Sequence, residues 1–361
     1  MVFKNALING VLTDITVENG VFKKIGKTPE EGLDLCGYKV YPGLIDIHTH
    51  GCLGIDTMDM RHGEMSVFYA ENGVTAYLPT TMTADLDELR KITDIDAAKF
   101  NGAQILGFHL EGPFISEKYK GAQNAAHIQN PDLEGFKKIR NVKMVTLAPE
   151  LAGSLGFIKN CGCVVSIGHT AANYDETVAA IEAGASCLSH TFNAMPPLNH
   201  RNPSVIGAAF DKNIYAQVIC DGLHIHPSVI RILYKLFGAE RMILISDSMR
   251  ATGLCDGCYE FGGQEVFVKN NCARLSDGTI AGSISTLLSC VKKAVEFGIS
   301  ESEAFRMASR TPAELLGVNK GVIAEGFDAD FIVLDSGLNV VKTVIAGRVF
   351  EQNHKNSPDR L

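Results

Sequence analysis

Between Leu44 and Asp247 the sequence returns eight times to one pattern, an apolar run that closes on polar residues. The runs are Leu44 to His50, Thr75 to Thr81, Ile105 to Glu111, Val142 to Glu150, Val164 to His169, Cys187 to Asn193, Tyr215 to Asp221 and Met242 to Asp247. Near-continuous apolar runs are what strands buried on both faces require, because neither face meets water. Most of the intervals hold helix-compatible segments, such as Asp85 to Phe100, Tyr174 to Ala183 and Pro227 to Phe237. Eight strand–helix units predict an α/β protein of the (β/α)8 TIM-barrel class, a fold of ~250 residues. An open doubly wound sheet is the alternative, but no Gly-rich phosphate fingerprint follows the first of these strands.

The two ends have a different rhythm. Phe3 to Ile8, Val11 to Val17 and Val21 to Ile25 are separated by Asn9-Gly10 and Asn19-Gly20, dipeptides that favour tight hairpins. Phe331 to Leu334, Val340 to Ile345 and Arg348 to Phe350 resume that style, with Ala346-Gly347 between the last two. The division expected is a small β-sandwich domain from residues 1–43 plus 319–361 and a barrel over 44–318. Asp256 to Gly278 interrupts the barrel pattern after its eighth strand and reads as an inserted hairpin.

Composition narrows the function. A chain of 361 residues with 46% hydrophobic and 20% charged residues is a folded globular protein, and its net charge of −8 with no basic run excludes general nucleic-acid binding. A few local cations can still hold an anionic small molecule. No run approaches the roughly 20 apolar residues of a membrane helix. The N-terminus has no signal-peptide profile, and the ten cysteines lack disulfide-like spacing, so a soluble cytoplasmic protein is expected. Cys161 and Cys163 are expected in the core, and Cys255-Asp-Gly-Cys258 has no second pair at zinc-ribbon spacing.

The chemistry collects where the strands end. In a barrel the C-terminal ends of the strands face the active site. His48 and His50 are two apart on one strand, so both imidazoles face the same way and can grip one ion. Glu111 closes the third run, His169 and His190 sit at the ends of the fifth and sixth, and Asp247 closes the eighth. Four histidines, one glutamate and one aspartate are therefore the expected ligand set for a divalent metal. His62, His200 and His354 read as structural histidines, as do His109 and His127 by default.

These residues carry a resemblance. Pro42-Gly43-Leu44-Ile45-Asp46-Ile47-His48-Thr49-His50-Gly51 is similar to the opening motif of the amidohydrolase superfamily. Leu110-Glu111-Gly112-Pro113-Phe114, Gly168-His169-Thr170 and His190-Thr191-Phe192-Asn193-Ala194-Met195-Pro196 resemble its N-acetylglucosamine-6-phosphate deacetylase branch. Asp221-Gly222-Leu223-His224, Ser246-Asp247 and Gly326-Phe327-Asp328-Ala329-Asp330 continue the likeness in order along the chain.

The resemblance implies roles. Glu111, His169 and His190 would hold one ion, and His48 and His50 a second one bridged by Glu111, giving one or two ions per subunit. Zinc is the first expectation, with iron, manganese or cobalt as alternatives. Asp247 would serve as general base and then general acid in hydrolysis of an acetamide. The substrate's phosphate is assigned to Arg201, His224 and the Asn193-Ala194 backbone, with Arg201 reaching the site of a neighbouring copy in a homodimer. Ala122 and Gln123 lie in the substrate loop, where some relatives carry histidine in place of Gln123; an amide donates hydrogen bonds but carries no proton charge. His226 has no role beyond packing or support behind a site residue. The competing readings are the same reaction on the galactosamine epimer, a cyclic amidase or deaminase, and an inactive metal-binding scaffold.

Overall fold

The first of the eight runs is buried on both faces throughout Leu44–Thr49, and so is the second throughout Val74–Thr81. The computed structural model describes residues 1–351; His354 and the end of the terminal segment expected in the small domain lie outside them. Strands Leu44–Thr49, Val74–Thr81, Phe108–Glu111, Val142–Leu147, Val164–Ile167, Cys187–Leu188, Tyr215–Ile219 and Met242–Ile245 pair in parallel, each with the next. The ends of the sheet meet where the Asp247 amide donates to His48 O at 2.9 Å and the His50 amide donates to Ser248 O at 2.7 Å. The chain folds as a (β/α)8 TIM barrel, and its seam runs between the first and eighth strands.

Two apolar layers hold the barrel. Ile45, Ile47, Ala76, Leu78, Met144 and Ile243 belong to one cluster, with Ala313 and Leu316 of the helix Arg310–Leu316. Leu44, Tyr77, Leu110, Val145 and Leu244 belong to a second, with helix residues such as Leu89, Ile206, Leu233 and Val291. Burying a side chain of this size is worth about 1.5–3 kcal/mol, so the strands have no solvated face to spare for polar residues. Polar side chains collect instead at the C-terminal ends of the strands and just past them, as His48, Glu111, His190 and Asp247 do.

Several runs are shorter strands than expected. Gly107, at φ 136°, splits the third run into Gln104–Ile105 and Phe108–Glu111. The fourth stops at Leu147 and the sixth at Leu188, so His190 stands on a loop beyond its strand. The helices Tyr174–Ala183 and Pro227–Arg241 form as expected, while Asp85 to Phe100 divides into the helix Leu86–Thr93 and a short 3-10 turn. The hairpin expected over Asp256 to Gly278 is a three-stranded antiparallel sheet, Gly257–Phe261, Gln264–Lys269 and Cys272–Leu275.

The two ends share one sheet. Val2–Ile8, Val11–Glu18 and Val21–Ile25 join Phe331–Leu334, Val340–Ile345 and Arg348–Val349 through Lys39–Pro42. Asn9-Gly10 and Asn19-Gly20 adopt positive φ at both positions, 49° and 78°, then 51° and 80°, the geometry two-residue hairpins need. The sheet curls back on itself: the Phe22 amide donates to Phe327 O and the Ala329 amide to Gly20 O, both at 2.8 Å. Phe3, Phe22 and Phe331 pack in the core so enclosed. Cys161 and Cys163 differ from expectation, being half-buried beside the end of helix Ser154–Asn160. Among the described residues no helix is long and apolar enough to cross a membrane.

Candidate active site

A break in strand register sets the site's first wall. Ile45 and Ile47 pack in the barrel cluster, yet His48 and His50 are the pair that meets Glu111. Pairing with the second strand shifts between Asp46 and Thr49, which changes the phase of the alternation. The third strand keeps its phase: Phe108 and Leu110 pack outward, His109 and Glu111 inward. Directly after Glu111 the chain turns at Gly112 with φ 87°, where a Cβ would lie 2.1 Å from Thr83 Oγ1. Only glycine fits that turn. His169, His190 and Asp247 are held just past their strands at positive φ of 47°, 25° and 47°. Such backbone costs roughly 1–2 kcal/mol per residue and aims each side chain back across the barrel mouth.

All six expected ligands converge. Glu111 Oε1 lies 2.9 Å from His190 Nε2, 3.0 Å from His48 Nε2 and 3.3 Å from His169 Nε2. Glu111 Oε2 lies 3.3 Å from His50 Nε2, and Asp247 Oδ1 is 3.4 Å from His48 Nε2 and 3.3 Å from His50 Nε2. His48, His50 and Asp247 form one group at metal-ligating separation, and His48, Glu111 and His190 another.

The hydrogen bonds behind these rings test whether a metal fits. His169 Nδ1 donates to Tyr119 O at 2.8 Å and His190 Nδ1 to Asn193 O at 3.2 Å. A carbonyl only accepts, so both Nδ1 atoms carry hydrogen, and the Nε2 atoms facing Glu111 are the positions whose lone pairs a metal would take. Those lone pairs are 3.1 Å apart and face a carboxylate. Acceptors crowded against acceptors repel unless a cation lies among them. His48 Nδ1 donates to Gln217 Oε1 at 2.9 Å, and its buried Nε2 has no hydrogen-bond partner. This is the outer support that metal-ligating histidines commonly have. The donor set is that of a divalent-cation site.

Electrostatics agree. Burial opposes protonation of His48 and His50, yet Glu111 and Asp247 outweigh it and push both imidazoles up, His50 to about 10. Burial would raise Glu111 and Asp247, but the surrounding imidazoles hold both carboxyls below their usual range. The cluster calls for positive charge and keeps its carboxylates ionised.

The ligands open into a cleft of about 410 Å3 that also exposes Ala122, Gln123, Asn193, Ala194 and His224. His224 Nδ1 donates to Asp221 Oδ2 at 2.7 Å; burial disfavours its charge, but Asp221 outweighs that and raises its pKa. An imidazole biased toward its charged form by Asp221 therefore stands on the cleft wall. The other two expected contacts are Arg201 and Gln123. Arg201 lies on an exposed turn and does not line this cleft. Gln123 is committed at both ends of its amide, to Glu111 Oε2 and to the Thr83 amide, both at 2.7 Å.

Other residues serve the site without having been read from the sequence. Gln217 was legible as the one polar side chain in the buried run Tyr215–Ile219. Phe261 of the inserted sheet sets its ring edge-on to His50 with centroids 5.1 Å apart, and Lys118 lines the cleft; neither had a local signal. His109 is buried against Thr146 Oγ1 at 2.7 Å, and His226 Nδ1 accepts from the Ser228 amide to cap a helix.

The amidohydrolase family profile matches residues 40–350, which include every one of these ligands. The chain belongs to the amidohydrolase family. This amidohydrolase is 38% identical to the N-acetylglucosamine-6-phosphate deacetylase of Bacillus subtilis, over 85% of this chain and 83% of that one. It is 34% identical to the N-acetylgalactosamine-6-phosphate deacetylase of Escherichia coli O157:H7, over 93% and 94% of the two chains. A Mycobacterium smegmatis N-acetyl-D-glucosamine-6-phosphate deacetylase mutant, solved in complex with N-acetyl-D-glucosamine-6-phosphate, superimposes with a TM-score of 0.90 at 31% identity, covering 97% of this chain and 99% of that one.

Proposed function

We propose that this amidohydrolase removes the acetyl group from N-acetyl-D-glucosamine 6-phosphate, yielding glucosamine 6-phosphate and acetate. The observation that carries the reading is the convergence of four imidazoles, Glu111 and Asp247 in a cleft that also holds His224 paired with Asp221. Glu111, His169 and His190 would hold one divalent ion, zinc by preference, and His48 with His50 a second sharing Glu111. When bound, such an ion lowers the pKa of water from 15.7 to roughly 7 and polarises an amide carbonyl.

The protein's own groups do the rest. Asp247, ionised beside His48 and His50, accepts a proton from the attacking water and returns it to the departing amine as the C–N bond breaks. His224 and the Asn193-Ala194 backbone bind the phosphate end, charge-assisted contacts being the stronger kind. Arg201 completes the phosphate site of a second copy in a homodimer, a role its exposed position outside its own cleft supports. A cytoplasmic setting accords with ten free cysteines. The likeness to a galactosamine-specific relative makes the other epimer the second reading.

Purified protein assayed for acetate release on both phosphosugars, before and after chelation, tests this. Chelator-sensitive release with the higher kcat/KM on the glucosamine epimer is expected. Faster release from the galactosamine epimer would reverse the assignment, and no release from either with metal bound would leave an inactive scaffold.

A further inference from the structure

Glu111 is gripped by one closed ring of hydrogen bonds. Thr83 Oγ1 donates to the Glu111 carbonyl at 3.1 Å, the Thr83 amide donates to Gln123 Oε1 at 2.7 Å, and Gln123 Nε2 donates to Glu111 Oε2 at 2.7 Å. The ring therefore holds the backbone and the carboxylate of the same residue. Gln123 is 2% exposed although it lines the cleft, with both ends of its amide turned to protein partners. The two carboxylate oxygens are left unequal. Three imidazoles lie within 3.3 Å of Oε1, whereas Oε2 has His50 at 3.3 Å and the Gln123 amide closer.

We infer that Gln123 is a positioning residue: by holding Oε2 it fixes the Glu111 carboxylate with Oε1 turned to the ion that His169 and His190 share. This rests on the metal-centred reading above and deepens it. An unheld glutamate side chain has several rotamers, and ordering it must then be paid from the ion's own binding energy. Loss of such an outer partner typically weakens metal binding by about 10–100-fold.

The test titrates metal-free protein with Mn2+ by calorimetry and records the visible absorption of the Co2+-loaded form. Gln123→Met keeps the volume and removes the donor; the tighter ion should weaken by about 10–100-fold and the Co2+ absorption should change. Gln123→His, which retains an N–H donor, should stay closer to the parent. Gln123→Met also leaves the buried Thr83 amide without its acceptor and should melt somewhat lower than the parent, so affinities are compared at a temperature where every metal-free variant is fully folded. Parent-like Mn2+ affinity in Gln123→Met, or equal loss in both variants, would overturn the inference. Failure of acetate release by the metal-loaded parent, with the expected loss of affinity in Gln123→Met alone, would instead sink the catalytic reading and leave this one standing.

Discussion

Asp247 carries the sharpest demand placed on any single side chain. Its carboxylate is buried yet held ionised by imidazoles that also contact Glu111, which suits it to the proposed role of base. Asp247→Asn should retain bound metal and lose turnover by about a thousandfold or more, read from metal content alongside acetate release. His224 makes a prediction in pH. Its pKa is raised by Asp221, so its positive charge is complete below the ordinary imidazole value near 6.5 and is lost as pH climbs through the raised one. KM for the phosphosugar should rise across that upper window while kcat moves less. Asp221→Asn should bring the rise to lower pH, and a KM that ignores both changes would remove His224 from phosphate binding.

Among the elements, the terminal sheet depends on one buried carboxylate. Asp14 accepts from Lys4 Nζ at 2.9 Å, the Thr28 amide at 3.0 Å and the Asn5 amide at 3.1 Å, stitching the second strand to the first and to the loop after the third. Burial alone would raise its pKa, but these partners outweigh it and hold the carboxyl far below the usual range. A depressed carboxyl stabilises the fold in full above the unfolded value near 4, and that contribution is lost as pH falls below it. Asp14→Asn should cost about 2 kcal/mol at pH 7 in denaturant unfolding, with the difference from the parent narrowing below pH 4. A gap independent of pH would mean that the charge does not matter there.

Across the whole molecule, the small sheet and the barrel are tied where Lys39 and Tyr41 meet Glu301 and where Thr343 Oγ1 donates to Ala70 O at 2.7 Å. The cleft is likewise assembled from distant segments, with the inserted sheet brought over it by Gln264 Nε2 donating to Ala122 O at 2.8 Å. The proposed dimer extends this to two chains. Arg201→Ala and Asp247→Asn should each be nearly inactive alone, yet mixing them under exchange conditions should restore activity, because a hybrid dimer contains one site with both residues intact. No recovery despite demonstrated subunit exchange would place Arg201 outside the partner's cleft.

The eight apolar runs determined the doubly buried parallel strands by themselves, because such a strand must be apolar nearly throughout, while closure into a barrel was decided by the seam between the first and eighth strands. Hairpins at Asn9-Gly10 and Asn19-Gly20 were legible for a similar reason, since few side chains tolerate positive φ. The six candidate ligands were legible as polar residues closing apolar runs. What the sequence could not specify was the phase shift that brings His48 and His50 inward after Ile47, or the engagement of Gln123 with Glu111 and Thr83. Local patterning records how a residue relates to its neighbours in the chain. Register slips, ring orientations and hydrogen-bond closure depend on which atoms the whole fold brings within 3 Å, and only the tertiary structure decides that.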